Sequence, residues 1–291
     1  MQLIKIKSNY PIRLRLLQVP IGLLILDFSD QYQSIDRYNR SNEGFMPVQK
    51  EEIGNAVLYC GDSLEVLRAG FTADALITDP PYSSGGINAG ARRSTPQDKY
   101  IGTHGRQYAN FYGDNRDARS WSLWMTLWLG QTMRTLNDGA YVMLFTDWRQ
   151  LPATTDALQA GGYIWRGIVP WNKTASSRAP HTGYFRHQCE YVVWGSKGNL
   201  EKSLHGGPWP GLVTQRVIPK EKLHMTAKPL SLMQELVEPV IPGGTILDPF
   251  MGSGTTGVAA VTSGRRFIGV EMSNFYFDVA CKRIEEAQQQ I

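Results

Sequence analysis

The sequence predicts an α/β fold on a mostly parallel, seven-stranded sheet, and three observations lead there. Apolar runs of strand length alternate with amphipathic runs of helix length from residue 46 onward. The strand-like runs "AVLYCGD", "ADALITD" and "GTILD" each end in an acidic residue. Near the C-terminus a strand, a glycine-rich turn, a helix and another strand follow in direct succession, the order of a parallel βαβ unit.

Residues 1–45 stand apart. "LRLLQVPIGLLILDF" is apolar but interrupted by Pro20, ended by Asp27, too short to span a bilayer and followed by no small-residue cleavage site. The polar run "DQYQSIDRYNRSNEGF" comes next, and Met46 opens the patterned region. The expectation is a poorly ordered extension, or residues upstream of the true start, ahead of one domain over 46–291.

Within that domain "AVLYCGD" reads as a strand, "SLEVLRAG" as a short helix stopped by Gly70, and "ADALITDPPY" as a second strand. Residues 83–115 carry neither period and are too long for a plain connection, so they read as a loop insertion with a function. Helical spacing returns over 116–137, where Trp121, Trp124 and Trp128 read as core, and "GAYVMLFTD" follows as a buried strand. "WRQLPATTDALQAGG" is a helix, and "YIWRGIVPW" and "CEYVVWGS" are strands. Residues 197–222 are polar, irregular and variable in character, after which "KPLSLMQELVEPV" forms a helix begun by Pro229. The βαβ unit and a polar terminal helix complete the chain.

Composition excludes some classes. With 42% hydrophobic and 19% charged residues the chain is globular, and a net charge of +4 permits a polyanionic partner without requiring one. Cys60, Cys189 and Cys281 share no C-x-x-C spacing, which points to a reducing cytoplasm and not to a disulfide framework. His181, His187 and Cys189 read as ordinary loop and strand residues, so no metal is expected. No membrane association is expected either.

The most informative run is "GGTILDPFMGSGTTGVAAVTSGRRFIGVEM", with glycines at 252, 254 and 257 and an acid, Glu271, at the next strand end. Glycines let backbone approach a ligand, a helix start offers N–H donors, and a distal carboxylate can accept ribose hydroxyls. A nucleoside-containing ligand is the reading. Ligands of open α/β sheets bind at carboxyl strand ends, so Asp62, Asp79, Asp248 and Glu271 are expected around one crevice.

At "DPPY" (79–82), "HMTAKP" (224–229), "DPFMGSG" (248–254) and "GVE" (269–271) the sequence resembles the amino-methyltransferases of DNA, in the permuted order of their β group. The resemblance spans roughly residues 57–285. It implies a Rossmann-like methyltransferase fold, S-adenosylmethionine as cofactor and double-stranded DNA as partner, with the target base flipped out. By the same resemblance Phe250, Gly252, Ser253, Gly254 and Thr255, together with Asp248, would shape the cofactor pocket. Glu271 would hold the ribose, Asp62 the adenine end, and Thr226 and Lys228 the methionine carboxylate. Asp79 and the Pro80 carbonyl would accept the hydrogens of the base amine, Pro81 would hold the turn, and Tyr82 would stack on the base with Phe185 on its other face. Asp in the first position is commoner in adenine-N6 enzymes, which favours adenine over cytosine-N4.

For DNA contact the candidates are Arg92, Arg93 and Arg106 in the long loop, Lys173, Arg178 and Arg186 after the "YIWRGIVPW" strand, and Lys220 and Lys222. A restriction–modification or phage setting fits a chain with no nuclease or ATPase motif. Monomer and homodimer both stay open. A non-catalytic nucleic-acid binder and a nicotinamide-dependent oxidoreductase are the competing readings.

Overall fold

A computed structural model describes residues 48–82, 116–175, 181–216 and 228–290. Residues 1–45 and the 83–115 insertion therefore lie outside the described residues, and the 197–222 segment is described only as far as 216.

The strands are β1 (Gln49–Ile53), β2 (Ala56–Cys60), β3 (Ala73–Thr78), β4 (Leu136–Thr146), β5 (Ile164–Asn172), β6 (Cys189–Ser196), β7 (Val213–Thr214), β8 (Thr245–Asp248) and β9 (Arg266–Glu271). The helices are α1 (Ser63–Val66), α2 (Ala118–Thr132), α3 (Leu151–Ala160), α4 (Leu230–Val237), α5 (Thr255–Thr262) and α6 (Asn274–Gln288). The described residues form one nine-stranded sheet in the order β1-β2-β9-β8-β3-β4-β6-β5-β7. From β2 to β5 it comprises the seven expected strands; β2, β9, β8, β3 and β4 run parallel, and β6 is antiparallel to both neighbours.

The two additional strands had no sequence signal. β1 is "QKEEI", polar and exposed except at its end, and it exists because a two-residue turn at Gly54 and Asn55 folds it back on β2. β7 is two residues beside β5. The helix expected over 116–137 stops at Thr132, and β4 begins earlier than expected, at Leu136, where it pairs with Ala73.

Alternation along β4 shows how the sheet is covered. Tyr141, Met143 and Phe145 enter a core shared with α4, α5 and α6, whereas Ala140, Val142 and Leu144 enter a second core built with α2 and α3. Both faces are thus packed, as a largely parallel sheet requires. The chain leaves β8 toward β9 through α5 on the first face, and leaves β3 toward β4 through α2 on the second. The adjacent carboxyl ends of β8 and β3 are the switch point of the sheet, where two connections diverge and a crevice opens.

Candidate active site

Asp79, Pro80, Pro81 and Tyr82 leave β3 at this switch point. The buried Trp121 indole on α2 donates to the Pro81 carbonyl at 2.7 Å, and the Gln150 amide before α3 donates to the Tyr82 carbonyl at 2.8 Å. The intervening residue types cannot bend freely, since each proline fixes φ. Of three successive carbonyls, that of Pro80 takes no donor among the described residues. The Tyr82 hydroxyl donates back to Asp79 Oδ1 at 2.5 Å.

The other oxygen of Asp79 meets the ammonium of Lys228, which also lies 3.6 Å from Glu190. Glu190 in turn accepts from Lys173 at 3.0 Å. Two carboxylates and two ammonium groups therefore balance in one partly buried quartet. Lys228 packs over the rings of Phe145 and Tyr82, with Nζ 4.9 and 5.5 Å from their centroids. Burial pushes the Asp79 carboxyl up, against the pull of the Lys228 ammonium. Burial disfavours the charge on Lys228, yet Asp79 and Glu190 together hold it above the ordinary lysine value. Burial, helped by Asp79 and Glu190, drives the Tyr82 phenol well above its usual range.

Across the crevice lies the glycine turn after β8. Gly252 sits at φ +52° and a Cβ added there would meet nothing within 4 Å, so this position faces open space. Its N–H donates to Glu271 at 3.0 Å, and the Ser273 N–H donates to the same carboxylate at 2.8 Å. Burial still lifts the Glu271 carboxyl to about 7. Gly254 has another reason to be glycine: at φ +78°, its Cβ would stand 2.9 Å from that of Ala280 on α6. Phe250 lines the turn with its ring 5.3 Å from Trp124 and 5.2 Å from Trp128, and the Arg116 guanidinium covers Trp124 at 4.5 Å.

Several residues expected around the cofactor have bonding partners within the protein. Asp248 is buried beneath the crevice, where Thr78 and Thr256 each donate to its carboxylate at 2.6 Å and the Phe250 N–H adds a third bond. Burial raises it to about 6 despite these donors. The Ser253 and Thr255 hydroxyls point at Arg283 of α6, at 3.2 and 3.1 Å, not into the crevice. One oxygen of Asp62 caps α1 through the N–H groups of Leu64 and Glu65, although the preceding Gly61 ties this corner to the Glu271 carbonyl. Lys228 and Lys173 are both engaged inside the quartet. Phe185 is 97% exposed and packs against nothing in the crevice, while Arg186 is exposed with a long contact of 3.4 Å to the Ala175 carbonyl. Thr226, Arg92, Arg93, Arg106, Arg178, Lys220 and Lys222 lie outside the described residues.

Trp121 and Gln150 hold the acceptor turn, Glu190 meets Lys228 and Arg283 holds the glycine turn from behind; the sequence reading assigned none of them to the site. A lone carboxylate at the start of the apolar run "CEYVVW" was a usable signal for Glu190. A buried indole needs an acceptor, which marks Trp121. Gln150 and Arg283 carried none.

A carboxylate, and a carbonyl that takes no donor among the described residues, thus leave β3 beside the glycine turn that leaves its parallel neighbour β8, with the strand-end glutamate on β9 beyond. A DNA methylase family model, covering N6 and N4 methyltransferases, matches residues 73–282. The type II methyltransferase M2.DpnII of Streptococcus pneumoniae is 29% identical over 230 residues, covering 73% of this chain and 82% of that protein. M.HinfI of Haemophilus influenzae is 27% identical over 253 residues, 78% of this chain and 67% of that one. In fold, the chain resembles M1.HpyAVI solved with SAM (TM-score 0.58, 23% identity, 78% of this chain and 98% of that chain). It also resembles the cytosine-N4-specific PvuII DNA methyltransferase (TM-score 0.60, 16% identity, 82% and 91%). With the family match extending from β3 into α6, across both walls of the crevice, the chain belongs to the N6/N4 DNA methylase family.

Proposed function

We propose that this methylase transfers a methyl group from S-adenosylmethionine to the N6 amine of adenine in duplex DNA. The observation that carries the reading is the pairing, on one rigid turn, of the Asp79 carboxylate with the Pro80 carbonyl, which takes no donor among the described residues. An exocyclic amine is a poor nucleophile because its lone pair is delocalised into the ring. Two acceptors on its two hydrogens hold the nitrogen in line and offset the positive charge it gains. Tyr82, held by its hydroxyl and carbonyl, offers its ring as a stacking surface for the extruded base.

The crevice fits the cofactor. Gly252 leaves open space beside Glu271, whose carboxylate suits ribose hydroxyls, and Phe250 and Trp124 supply an aromatic wall for the nucleoside. When bound, S-adenosylmethionine supplies an electrophilic methyl on a sulfonium. Asp62 at the rim and Thr226 complete the expected contacts. The Lys228 pairing with Asp79 supports a place for this lysine on the acceptor's side of the crevice, as well as near the cofactor's carboxylate. Asp248, Ser253, Gly254 and Thr255 act by holding the turn in shape.

Adenine is favoured by Asp in the first position of the "DPPY" turn; the N4-cytosine reading is kept open by the fold of the PvuII enzyme. Relatives named as type II methyltransferases support a restriction–modification setting. No helix among the described residues is long and apolar enough to cross a membrane, and the cytoplasm is the proposed compartment. Nucleoside mass spectrometry of DNA treated with the protein tests the reading. N6-methyladenine is expected, N4-methylcytosine alone would replace it, and Asp79→Ala should abolish either product while cofactor binding persists.

A further inference from the structure

Between β5 and β6 the residues His181–Gln188, "HTGYFRHQ", carry two adjacent aromatic rings in solvent. Tyr184 is 70% exposed and Phe185 97%. One exposed aromatic is common, but two neighbours turned outward leave a contiguous apolar tip that hydration disfavours. The tip is carried on a braced base. Lys173 N–H donates to the Gln188 carbonyl at 2.8 Å, and the Gln188 amide donates to Asn172 at 3.0 Å. His187 stacks on Trp148, centroids 5.7 Å apart and planes 20° from parallel.

Both braces lead to the site already described. Trp148 belongs to the short turn whose Gln150 holds the Tyr82 carbonyl. Gln188 is followed closely by Glu190, which meets the Lys228 that pairs with Asp79. His181–Gln188 contains no carboxylate and includes Arg186. Of the acids behind it, Asp147 pairs with Arg149, and Glu190 pairs with Lys173 and Lys228. A segment with an arginine, no carboxylate and an apolar tip suits duplex nucleic acid, whose phosphates can meet the guanidinium and whose stacked bases can admit a ring.

We infer that Phe185, supported by Tyr184, is a wedge that enters the DNA stack and fills the space left by the extruded target base. This rests on reading the site as a methylase that flips its base. It differs from a lid in what the ring stacks on: a lid covers the extruded base, whereas a wedge stacks on the bases left behind in the duplex.

The test compares two duplex oligonucleotides bearing the methylated sequence: one normally paired, one with an abasic site opposite the target base. Phe185→Ala, and the double variant with Tyr184→Ala, should keep the wild-type melting temperature because both side chains lie in solvent. On paired DNA they should lose about tenfold or more in kcat/KM, and the signal of 2-aminopurine at the target position should fall with it. On the abasic-opposite duplex, where extrusion breaks no base pair, the loss should shrink to about twofold or less, and Phe185→Leu should restore most activity on both. An equal loss on the two DNAs would make Phe185 a lid and overturn the wedge. No loss on either, or lost self-association with methylation intact, would overturn it too. Wild-type protein that methylates neither duplex would overturn the proposed function itself, and the wedge with it.

Discussion

Lys228, just before α4, and Asp79, just after β3, are 149 residues apart in the chain and form an ion pair at the centre of the crevice. The Lys228 side chain is 8% exposed and that of Asp79 23%, so the pair is only partly open to screening by water. Lys228→Met would remove the ammonium that lies between Asp79 and Glu190, with Lys173 still paired to Glu190. A buried pair broken on one side costs about 3 kcal/mol or more. Calorimetry should show that loss. Removing the ammonium also lifts Asp79 further, so the acid limb of the kcat–pH profile should move to higher pH. Lys228→Arg should restore much of both.

The Trp121 bond to the Pro81 carbonyl gives a cleaner separation of shape from stability. Trp121→Phe keeps most of the apolar bulk and removes the donor, at a cost of about 1 kcal/mol in folding. Freed of one of its two tethers, the turn should present Asp79 less accurately. We expect kcat to fall about tenfold with the cofactor Kd unchanged; equal changes in both would mean that Trp121 acts only as core.

The glycines of the turn should divide by direction. At Gly252 a Cβ meets nothing within 4 Å, so Gly252→Ala should fold with a penalty of about 1–2 kcal/mol from the left-handed backbone and weaken cofactor binding. Gly254→Ala meets Ala280 at 2.9 Å and should show the larger fall in melting temperature. Thermal melts and cofactor titration of both variants check the division.

Glu271 gives a pH signature of known sign. Its ordinary value is 4.5 and burial lifts it to about 7 in the folded protein. Between those values the folded state binds more protons than the unfolded one. Its contribution to stability is therefore complete below about 4.5 and is lost as pH rises through about 7. Replacing it with Gln should flatten that part of the stability–pH curve. Cofactor affinity should run the other way: a charged carboxylate accepts hydroxyls better, so binding should tighten from about pH 6 to about pH 8 in the wild type and stay level in Glu271→Gln.

Elements with strong apolar periods were legible in the sequence because burial on two faces writes them there; β3, β4, α2 and the β8–α5–β9 unit are examples. β1 was not, because its residues are exposed and its pairing comes from the turn beside it. In the site, motif order located both walls of the crevice but could not orient side chains within a tight turn. Asp248, Ser253 and Thr255 therefore read as residues that shape the cofactor pocket, without a sign that their polar atoms bond to Thr78, Thr256 and Arg283. Lys228 was legible as a candidate, while Asp79, with which it pairs, lay too far along the chain for spacing to reveal the bond. Phe185 was legible as an aromatic of the β5–β6 connection; its outward direction was not.

The bond from Thr78 to Asp248 has a further consequence. It fastens the last residue of β3 to the last residue of β8, two parallel neighbours in register through Ala75 with Ile246 and Leu76 with Leu247. A slip of one residue along either strand would displace the acceptor turn by about 3.3 Å against the glycine turn. That is roughly the whole separation at which a methyl can pass between two atoms. The ladder of the sheet is therefore the ruler of the reaction, and the Thr78 hydroxyl is the pin that keeps it at zero.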